Sequence, residues 1–253
     1  DLAVPANGTL RLTAGTIVLL DGNATPGSST GIDLIINGSL LSEGTATQPV
    51  TLTCSENANR WGELLFNNSA APSLLQHTLI TRGGRSPGRG HTGKGPLIRL
   101  VGSQLTLEDC ALGDSPAKAC YTTGISSLTL RRSLIARTIT GPELEDGCSL
   151  LIEDSNIQEI LPNFRESDAP TPDDEDCLYV HNPSGRPIVV RRSAAETLSV
   201  MEGVFAAKHY RTLKVDTDGA VSLYADRWRE CNRWRLGRVR LRKKSALTGL
   251  RVF

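Results

Sequence analysis

Residues 128–135 read Leu128-Thr129-Leu130-Arg131-Arg132-Ser133-Leu134-Ile135, and similar stretches recur along the chain. In most copies a small polar residue ends the stretch, with apolar residues five and three positions before it. Apolar alternation at period two predicts a β-strand, and the polar residue predicts a bend after it. The aligned polar residues are Ser55, Thr78, Cys110, Ser133, Ser155 and Ser193. This alignment places Val50 and Leu52 in one strand column with Ser73 and Leu75.

Successive polar residues are separated by 23, 32, 23, 22 and 38 residues. A base step of about 22–25 residues is typical of one coil of a β-solenoid. Each strand cannot bury its apolar side alone, whereas parallel stacking about 4.8 Å apart buries a continuous column. We therefore predict an all-β fold with a parallel β-helix over residues 1–193. For residues 194–253 we predict a continuation of the coils, with an irregular or helical excursion and a basic C-terminal end.

The two longest separations between polar residues, of 32 and 38 residues, contain insertions. In a solenoid such insertions leave the stack as surface loops. The first is the Gly- and Arg-rich stretch Gly83–Gly95, and the second is the Pro- and acid-rich stretch Pro162–Asp176. Specificity, if the chain has any, is expected there.

The opening coils carry a more specific sequence pattern. Residues 40–53 read Leu-Leu-Ser-Glu-Gly-Thr-Ala-Thr-Gln-Pro-Val-Thr-Leu-Thr, and Trp61-Gly62-Glu63-Leu64-Leu65-Phe66 follows. This pattern resembles the N-terminal coils of large secreted or cell-surface proteins with a right-handed, pectin-lyase-like parallel β-helix. The resemblance implies the architecture, including its right-handed sense, and says little about activity.

Composition agrees with many short strands and turns, because the chain has 24 glycines, 13 prolines and one methionine. No apolar run approaches the roughly 18 residues of a membrane span, so we expect a soluble chain. Charge is uneven: residues 1–193 hold 15 Lys and Arg against 21 Asp and Glu, whereas residues 194–253 hold 13 against 6.

Two features favour an extracellular, glycosylated protein. The six cysteines are even in number and lack the spacing of a zinc site, and a weak prediction pairs Cys148 with Cys177 in a disulfide. N-glycosylation triplets begin at Asn7, Asn23, Asn37 and Asn67. The alternative is that several cysteines are simply small buried residues of the stack.

The strongest chemical candidate is the acidic cluster in the second loop. The carboxylates of Asp173, Asp174 and Asp176 are of the kind that binds Ca²⁺, the only cofactor that the sequence suggests. In β-helix polysaccharide lyases, which this chain resembles in fold, Ca²⁺ neutralises uronate groups and an Arg or Lys acts as base. The simpler interpretation, a solvated acidic loop, is preferred.

The basic C-terminal end interleaves aromatic and basic side chains, among them Trp228, Trp234, Arg235 and Arg240. Such residues bind acidic polysaccharide through bidentate Arg–carboxylate bonds and Trp stacking, and they also bind nucleic acid. The outward face of an ordinary strand is the first interpretation, polysaccharide the second and nucleic acid a distant third.

No sequence motif for a catalytic triad, a zinc protease or a phosphate-binding loop is present. Whether the chain is an enzyme stays open, and the absence of these motifs favours a protein without enzymatic activity. We predict a non-catalytic structural or adhesive module of a secreted or cell-surface assembly, such as a fibre, cell wall or matrix, whose partners are other chains or itself. The alternatives are a Ca²⁺-dependent polysaccharide lyase and a carbohydrate-binding module for acidic polysaccharide.

Overall fold

The structure is a computed structural model that describes residues 1–23, 30–54, 60–88, 95–145 and 147–158. Beyond these it describes only the backbone of short strands between residues 179 and 239. The described residues form strands and turns and include no helix, so none of them forms a helix that could cross a membrane.

The strands form three sheets, because nearly every third strand along the chain joins the same sheet. Sheet 1 contains β1 (Leu2–Val4), β4 (Leu34–Ile36), β7 (Leu64–Asn67), β10 (Pro96–Val101), β13 (Lys118–Thr123), β16 (Thr140–Leu144), β19 (Tyr179–His181), β22 (Leu198–Met201) and β25 (Gly237–Val239). Sheet 2 contains β2 (Thr9–Thr13), β5 (Ser39–Glu43), β8 (Ser73–Gln76), β11 (Gln104–Glu108), β14 (Ser127–Arg131), β17 (Ser149–Glu153), β20 (Ile188–Arg191), β24 (Val221–Ala225) and β23 (Tyr210–Val215). Sheet 3 contains β3 (Ile17–Leu20), β6 (Val50–Cys54), β9 (Thr78–Thr81), β12 (Ala111–Gly113), β15 (Leu134–Ala136), β18 (Asn156–Gln158) and β21 (Ala194–Ala195).

All described strand pairs from β1 to β22 are parallel, which confirms the prediction of an all-β parallel β-helix. The central coils have the predicted length, since Ile98 pairs with Cys120 and Cys120 with Pro142, each 22 residues later. Earlier coils are longer, because Leu34 pairs with Leu64, 30 residues on. The three strands of each coil are therefore retained along the stack, and longer loops account for the extra residues of the longer coils.

One predicted register is wrong. The structure pairs Val50 with Thr78 and Leu52 with Ile80, so this segment belongs to sheet 3 and not to the sheet 2 column of Ser73. The sheet 2 strand of that coil is β5, which pairs with β8. An apolar alternation looks the same in either sheet, so the repeat alone could not assign this copy to a side of the coil.

The bend between sheets 2 and 3 explains the repeated small polar residue. Arg132 takes the left-handed backbone conformation, with φ +48°, and the Ser133 hydroxyl donates to the Arg131 carbonyl at 2.8 Å. The same oxygen accepts the Cys110 N–H of the preceding coil at 3.1 Å, and Ser155 Oγ accepts the Ser133 N–H at 3.0 Å. The polar column thus satisfies backbone groups that the bend removes from the sheets.

The interior is a continuous apolar column of Leu, Ile, Val and a few larger side chains. Trp61 is fully buried, and its indole N–H donates to the Thr81 carbonyl at 2.7 Å. Gly62 is required beside it, because a Cβ there would lie 1.8 Å from Asp33 Oδ1. The Trp-Gly pair of the opening coils is therefore a packing feature.

Near the C-terminus the pairing changes. Strand β24 pairs with β20, and β25 pairs with β22, both in the antiparallel direction. The division of the chain at residue 193, with 194–253 as an irregular continuation, stays a prediction.

Candidate functional site

The long connections of the coil all leave sheet 3 and enter sheet 1, at an edge that we call the loop corner. The long ones are 21–33, 55–63, 82–95 and 159–178, and the short ones are 114–117 and 137–139. The predicted surface loop Gly83–Gly95 belongs to the long group, whereas Pro162–Asp176 lies outside the described residues. Because loops that enter one sheet emerge on the same side of the stack, the outer face of sheet 1 is where function is expected.

The outer face of sheet 1 carries charged side chains that are nevertheless buried. Arg99, Tyr121 and Glu143 occupy one register column on successive coils. Their exposed fractions are only 7%, 7% and 0%, and Lys118 beside them is 0% exposed. Charged residues are rarely buried to this extent unless they are paired.

Each charge has a partner within this cluster. Lys118 Nζ lies 2.5 Å from Glu143 Oε2, and Arg99 Nε donates to Glu63 Oε2 at 2.9 Å. The Lys118 ammonium and the Arg99 guanidinium also lie 5.1 and 5.9 Å from the centre of the Tyr121 ring, within cation–π range. The cluster therefore links four consecutive coils across their outer face.

Two further contacts tie the cluster to its surroundings. Tyr121 donates its hydroxyl to Glu145 Oε1 at 2.8 Å. Arg99 Nη2 donates to the carbonyl of Pro87, in the connection 82–95, at 3.0 Å. The buried arginine thus holds the base of the Gly-rich loop against sheet 1.

Burial sets the electrostatics of the cluster. Desolvation lowers the pKa of Lys118, and the adjacent Glu143 carboxylate partly offsets this. Burial raises the pKa of Tyr121, as does its hydrogen bond to Glu145. Lys118 and Glu143 are closed to solvent, and the geometry fits a structural clamp.

The predicted Ca²⁺ ligands Asp173, Asp174 and Asp176 lie outside the described residues. So do Trp228, Trp234, Arg235 and Arg240 of the basic end. Among the residues that the structure does describe, no group of three or more His, Cys, Asp or Glu side chains is placed to hold a metal ion.

Of the four predicted glycosylation sites, only Asn7 is exposed, in the turn before β2. Asn37 and Asn67 are half-buried, and Asn67 Nδ2 donates to Asn37 Oδ1 at 3.1 Å in a ladder between coils. Asn23 is also half-buried and accepts a hydrogen bond from Arg85 at 3.0 Å. Asn7 is therefore the most accessible acceptor.

The cysteines that the structure describes, Cys54, Cys110, Cys120 and Cys148, are buried in the stack. Burial raises the pKa of the Cys110 thiol to about 11, which keeps it protonated and unreactive. Cys148 is a free thiol in the structure, and Cys177 lies outside the described residues, so a bridge between them stays a prediction.

The first coil presents a second surface of interest, which we call the open end. Strands β1, β2 and β3 each form the last strand of their sheet. The largest exposed apolar side chains there are Leu2, Ile17 and Leu19, with exposed fractions of 56%, 65% and 60%. The apolar run Ile17-Val18-Leu19-Leu20, which lacks the polar alternation of later strands, is the sequence signal for this surface.

Comparison of the chain with protein-family models, curated proteins and solved structures finds no significant match.

Proposed function

We propose that the protein is a non-catalytic structural or adhesive β-helix module of a secreted or cell-surface glycoprotein assembly. In this proposal it associates with copies of itself through the open end. The observation that carries the proposal is that, among the described strands, β1, β2 and β3 each pair on one side only, and that β1 and β3 carry exposed apolar side chains.

An open solenoid end is energetically costly for two reasons. Within the described strands, the outer edges of β1, β2 and β3 have backbone N–H and C=O groups that no neighbouring strand pairs. The interior is also incompletely covered, because the first-coil core residues Val4, Leu10 and Val18 are only partly buried. Solenoids require a polar cap or a partner at such a position.

The sequence of β2 favours a second copy as the partner. Thr9-Leu10-Arg11-Leu12-Thr13 is a palindrome, so an antiparallel pair of β2 strands centred on Arg11 places Leu10 against Leu12 and Thr9 against Thr13. Two arginines would then face each other. Each is already neutralised within its own chain, since Arg11 Nε and Nη2 donate to the Glu43 carboxylate at 2.8 and 2.7 Å.

Secretion and a pectin-lyase-like relationship are parts of the same proposal. The resemblance of the opening coils to large secreted β-helix proteins supports both. Glycosylation is most readily placed at the exposed Asn7. Because the described cysteines are buried thiols, secretion rests on the acceptor triplets and on the resemblance, and not on disulfides.

The test is the oligomeric state of the purified chain across a concentration series, measured by analytical ultracentrifugation. We expect the wild type to form dimers. The double variant Ile17→Lys/Leu19→Lys should be monomeric, because two charges on the exposed side of β3 oppose burial against a second copy.

The matched control is Leu79→Lys. Leu79 follows Ile17 and Thr51 in the same register column of sheet 3, but two coils inside the stack. It is also exposed, at 38%. This variant should associate like the wild type. A wild type that stays monomeric at every concentration, or a control that loses association as fully as the double variant, would contradict the proposal.

A further inference from the structure

The palindrome of β2 extends over the whole first coil. Counting outward from Arg11 between residues 2 and 20, equal steps in the two directions reach the same residue type at four of nine positions. The identical pairs are Leu10 and Leu12, Thr9 and Thr13, Val4 and Val18, and Leu2 and Leu20. The strands are placed symmetrically too, since Ala3 of β1 and Leu19 of β3 each lie eight residues from Arg11. A two-fold axis at Arg11 therefore relates β1 to β3 as well as β2 to itself.

The side chains that such an axis would bring together face the same way. Leu2 lies in register with Leu34, and Leu20 lies in register with Cys54, both of which are buried in the core. Leu2 is 56% exposed although it continues a core column, because no described strand covers its outer edge. Opposite Leu20 of a second copy it would close that column. A shift by one residue would instead set an inward side chain against an outward one.

The free backbone groups of β1 can be located from the bonds that it makes to the second coil. The Leu2 N–H donates to the Asp33 carbonyl at 3.0 Å, and the Val4 carbonyl accepts the Asn37 N–H at 3.0 Å. The backbone N–H and C=O groups of successive residues point to opposite sides of a strand. The N–H and C=O of Ala3, between these two residues, therefore face the open side.

The same alternation holds in the other two strands of the coil. In β3 the Thr16 carbonyl accepts the Thr51 N–H of the second coil at 2.9 Å, so the backbone groups of Leu19 face the open side. In β2 the Gly8 carbonyl bonds to the second coil in the same way, so those of Arg11 face the open side. The two-fold axis would thus bring the free groups of β1 onto those of β3, and those of β2 onto their own counterparts.

We propose that two copies of the chain join end to end through the whole first coil, so that all three sheets run continuously from one copy into the other. Strand β2 pairs with β2 of the second copy, and β1 pairs with its β3, each in the antiparallel direction. This inference rests on the self-association proposed above and specifies how the second copy is bound.

The geometry has a consequence for the assembly. A two-fold contact uses the same surface on both copies, so it closes at a dimer and does not propagate into a fibre. The dimer is a rod whose two far ends are identical and point in opposite directions. Such a rod connects two partners that bind the far end of the coil stack.

Disulfide formation between single-cysteine variants tests the pairing. Ala3→Cys and Leu19→Cys, equilibrated together and mildly oxidised, should give a covalent dimer on a non-reducing gel. Opposite residues in an antiparallel hydrogen-bonded pair have Cα atoms about 5.5 Å apart, a distance that a disulfide spans. Either variant alone should give none, because Ala3 lies opposite Leu19 of the second copy and not opposite itself. Both native side chains are exposed, so the exchanges leave the core intact.

The matched control replaces Leu19→Cys by Leu79→Cys in the mixture. Leu79 is also exposed on the outer side of sheet 3, but it lies two coils inside the stack. Its mixture with Ala3→Cys should give no covalent dimer, and crosslinking equal to that of the Leu19→Cys mixture would overturn the proposed pairing.

Sedimentation of the wild type separates this inference from the function on which it rests. A dimeric wild type whose Ala3→Cys and Leu19→Cys mixture stays uncrosslinked would overturn the continuous sheets and leave self-association standing. A monomeric wild type would overturn both. Filaments that Ile17→Lys/Leu19→Lys converts into monomers would reveal a head-to-tail contact and would overturn the closed dimer.

Discussion

The outer faces of sheets 1 and 2 carry similar charged columns in opposite surroundings. On sheet 2, Glu108 pairs in register with Arg131 and Arg131 with Glu153, and the Arg131 side chain is 40% exposed. On sheet 1, Lys118 and Glu143 form an ion pair whose side chains are 0% and 1% exposed. The loop corner opens onto sheet 1, whereas the connections that enter sheet 2 between β1 and β17 are at most five residues long.

The comparison shows that charged pairs have different roles on the two faces. An exposed pair contributes little stability, but the alternation of acid and base at Glu108, Arg131 and Glu153 favours the observed register of these strands. A buried pair has a large desolvation cost, which its mutual attraction only partly repays. The neighbouring buried pair, Arg99 and Glu63, shows what such a pair can hold, since Arg99 also binds the carbonyl of Pro87 in the Gly-rich connection.

Breaking the buried pair should have the largest effect on stability. Lys118→Met leaves the Glu143 carboxylate without its cation in a dry site, and we expect the free energy of unfolding to fall by about 3–5 kcal/mol. Urea unfolding followed by circular dichroism measures this change.

The double variant Lys118→Met/Glu143→Leu is its control. Because both charges are replaced by apolar groups, it should be clearly more stable than Lys118→Met alone. A double variant as unstable as the single one would show that the ion pair itself, and not the orphaned charge, supports the fold.

Charged groups of the two regions should also make the fold lose stability at opposite ends of the pH scale. Burial and Glu145 raise the pKa of Tyr121 above its usual 10.0, so above pH 10 only the unfolded chain ionises and stability falls as pH rises. At the bends that follow sheet 2, the Arg132 hydrogen bonds lower the pKa of Asp109 below its usual 3.8. The unfolded chain therefore gains that proton first, and stability falls as pH falls below 3.8.

Tyr121→Phe and Asp109→Asn test these assignments by urea unfolding across pH. The first should flatten the alkaline decline and leave the acid one unchanged, and the second should do the reverse. If Tyr121→Phe kept the full loss of stability at alkaline pH, other buried groups would cause that loss. Tyr121 would then not distinguish the two regions.

The smallest effect is expected on sheet 2. Arg131→Met removes an exposed cation from between Glu108 and Glu153, and should lower the free energy of unfolding by about 0.2–1 kcal/mol. The effect should shrink in 1 M salt, where the screening length is about 3 Å. A loss as large as that of Lys118→Met would erase the distinction between the two faces.

The architecture was predictable because the repeat has a physical cause. The stretch ending at Ser133 also ends the sheet 2 strands β8, β11 and β17, and its small polar residue binds backbone groups of the adjacent coil. The register of Val50 was not predictable, because a coil has more than one strand with the same alternation.

The buried cluster was missed for a different reason. Period-two alternation correctly directs Arg99 and Glu143 outward, and an outward charge is normally solvated. Whether an outer face is covered depends on connections that lie elsewhere in sequence, such as Pro87 for Arg99. Local patterns carry no information about that coverage.

The two-residue bend at Arg132 and Ser133 has a consequence for how such a protein lengthens. Bends and strands repeat at 22 residues in the central coils, so a duplicated unit of that length would meet equivalent neighbours above and below. Each added unit lengthens the particle by about 4.8 Å and leaves its cross-section unchanged. Length is thus a quantity that evolution or an engineer can adjust in discrete increments.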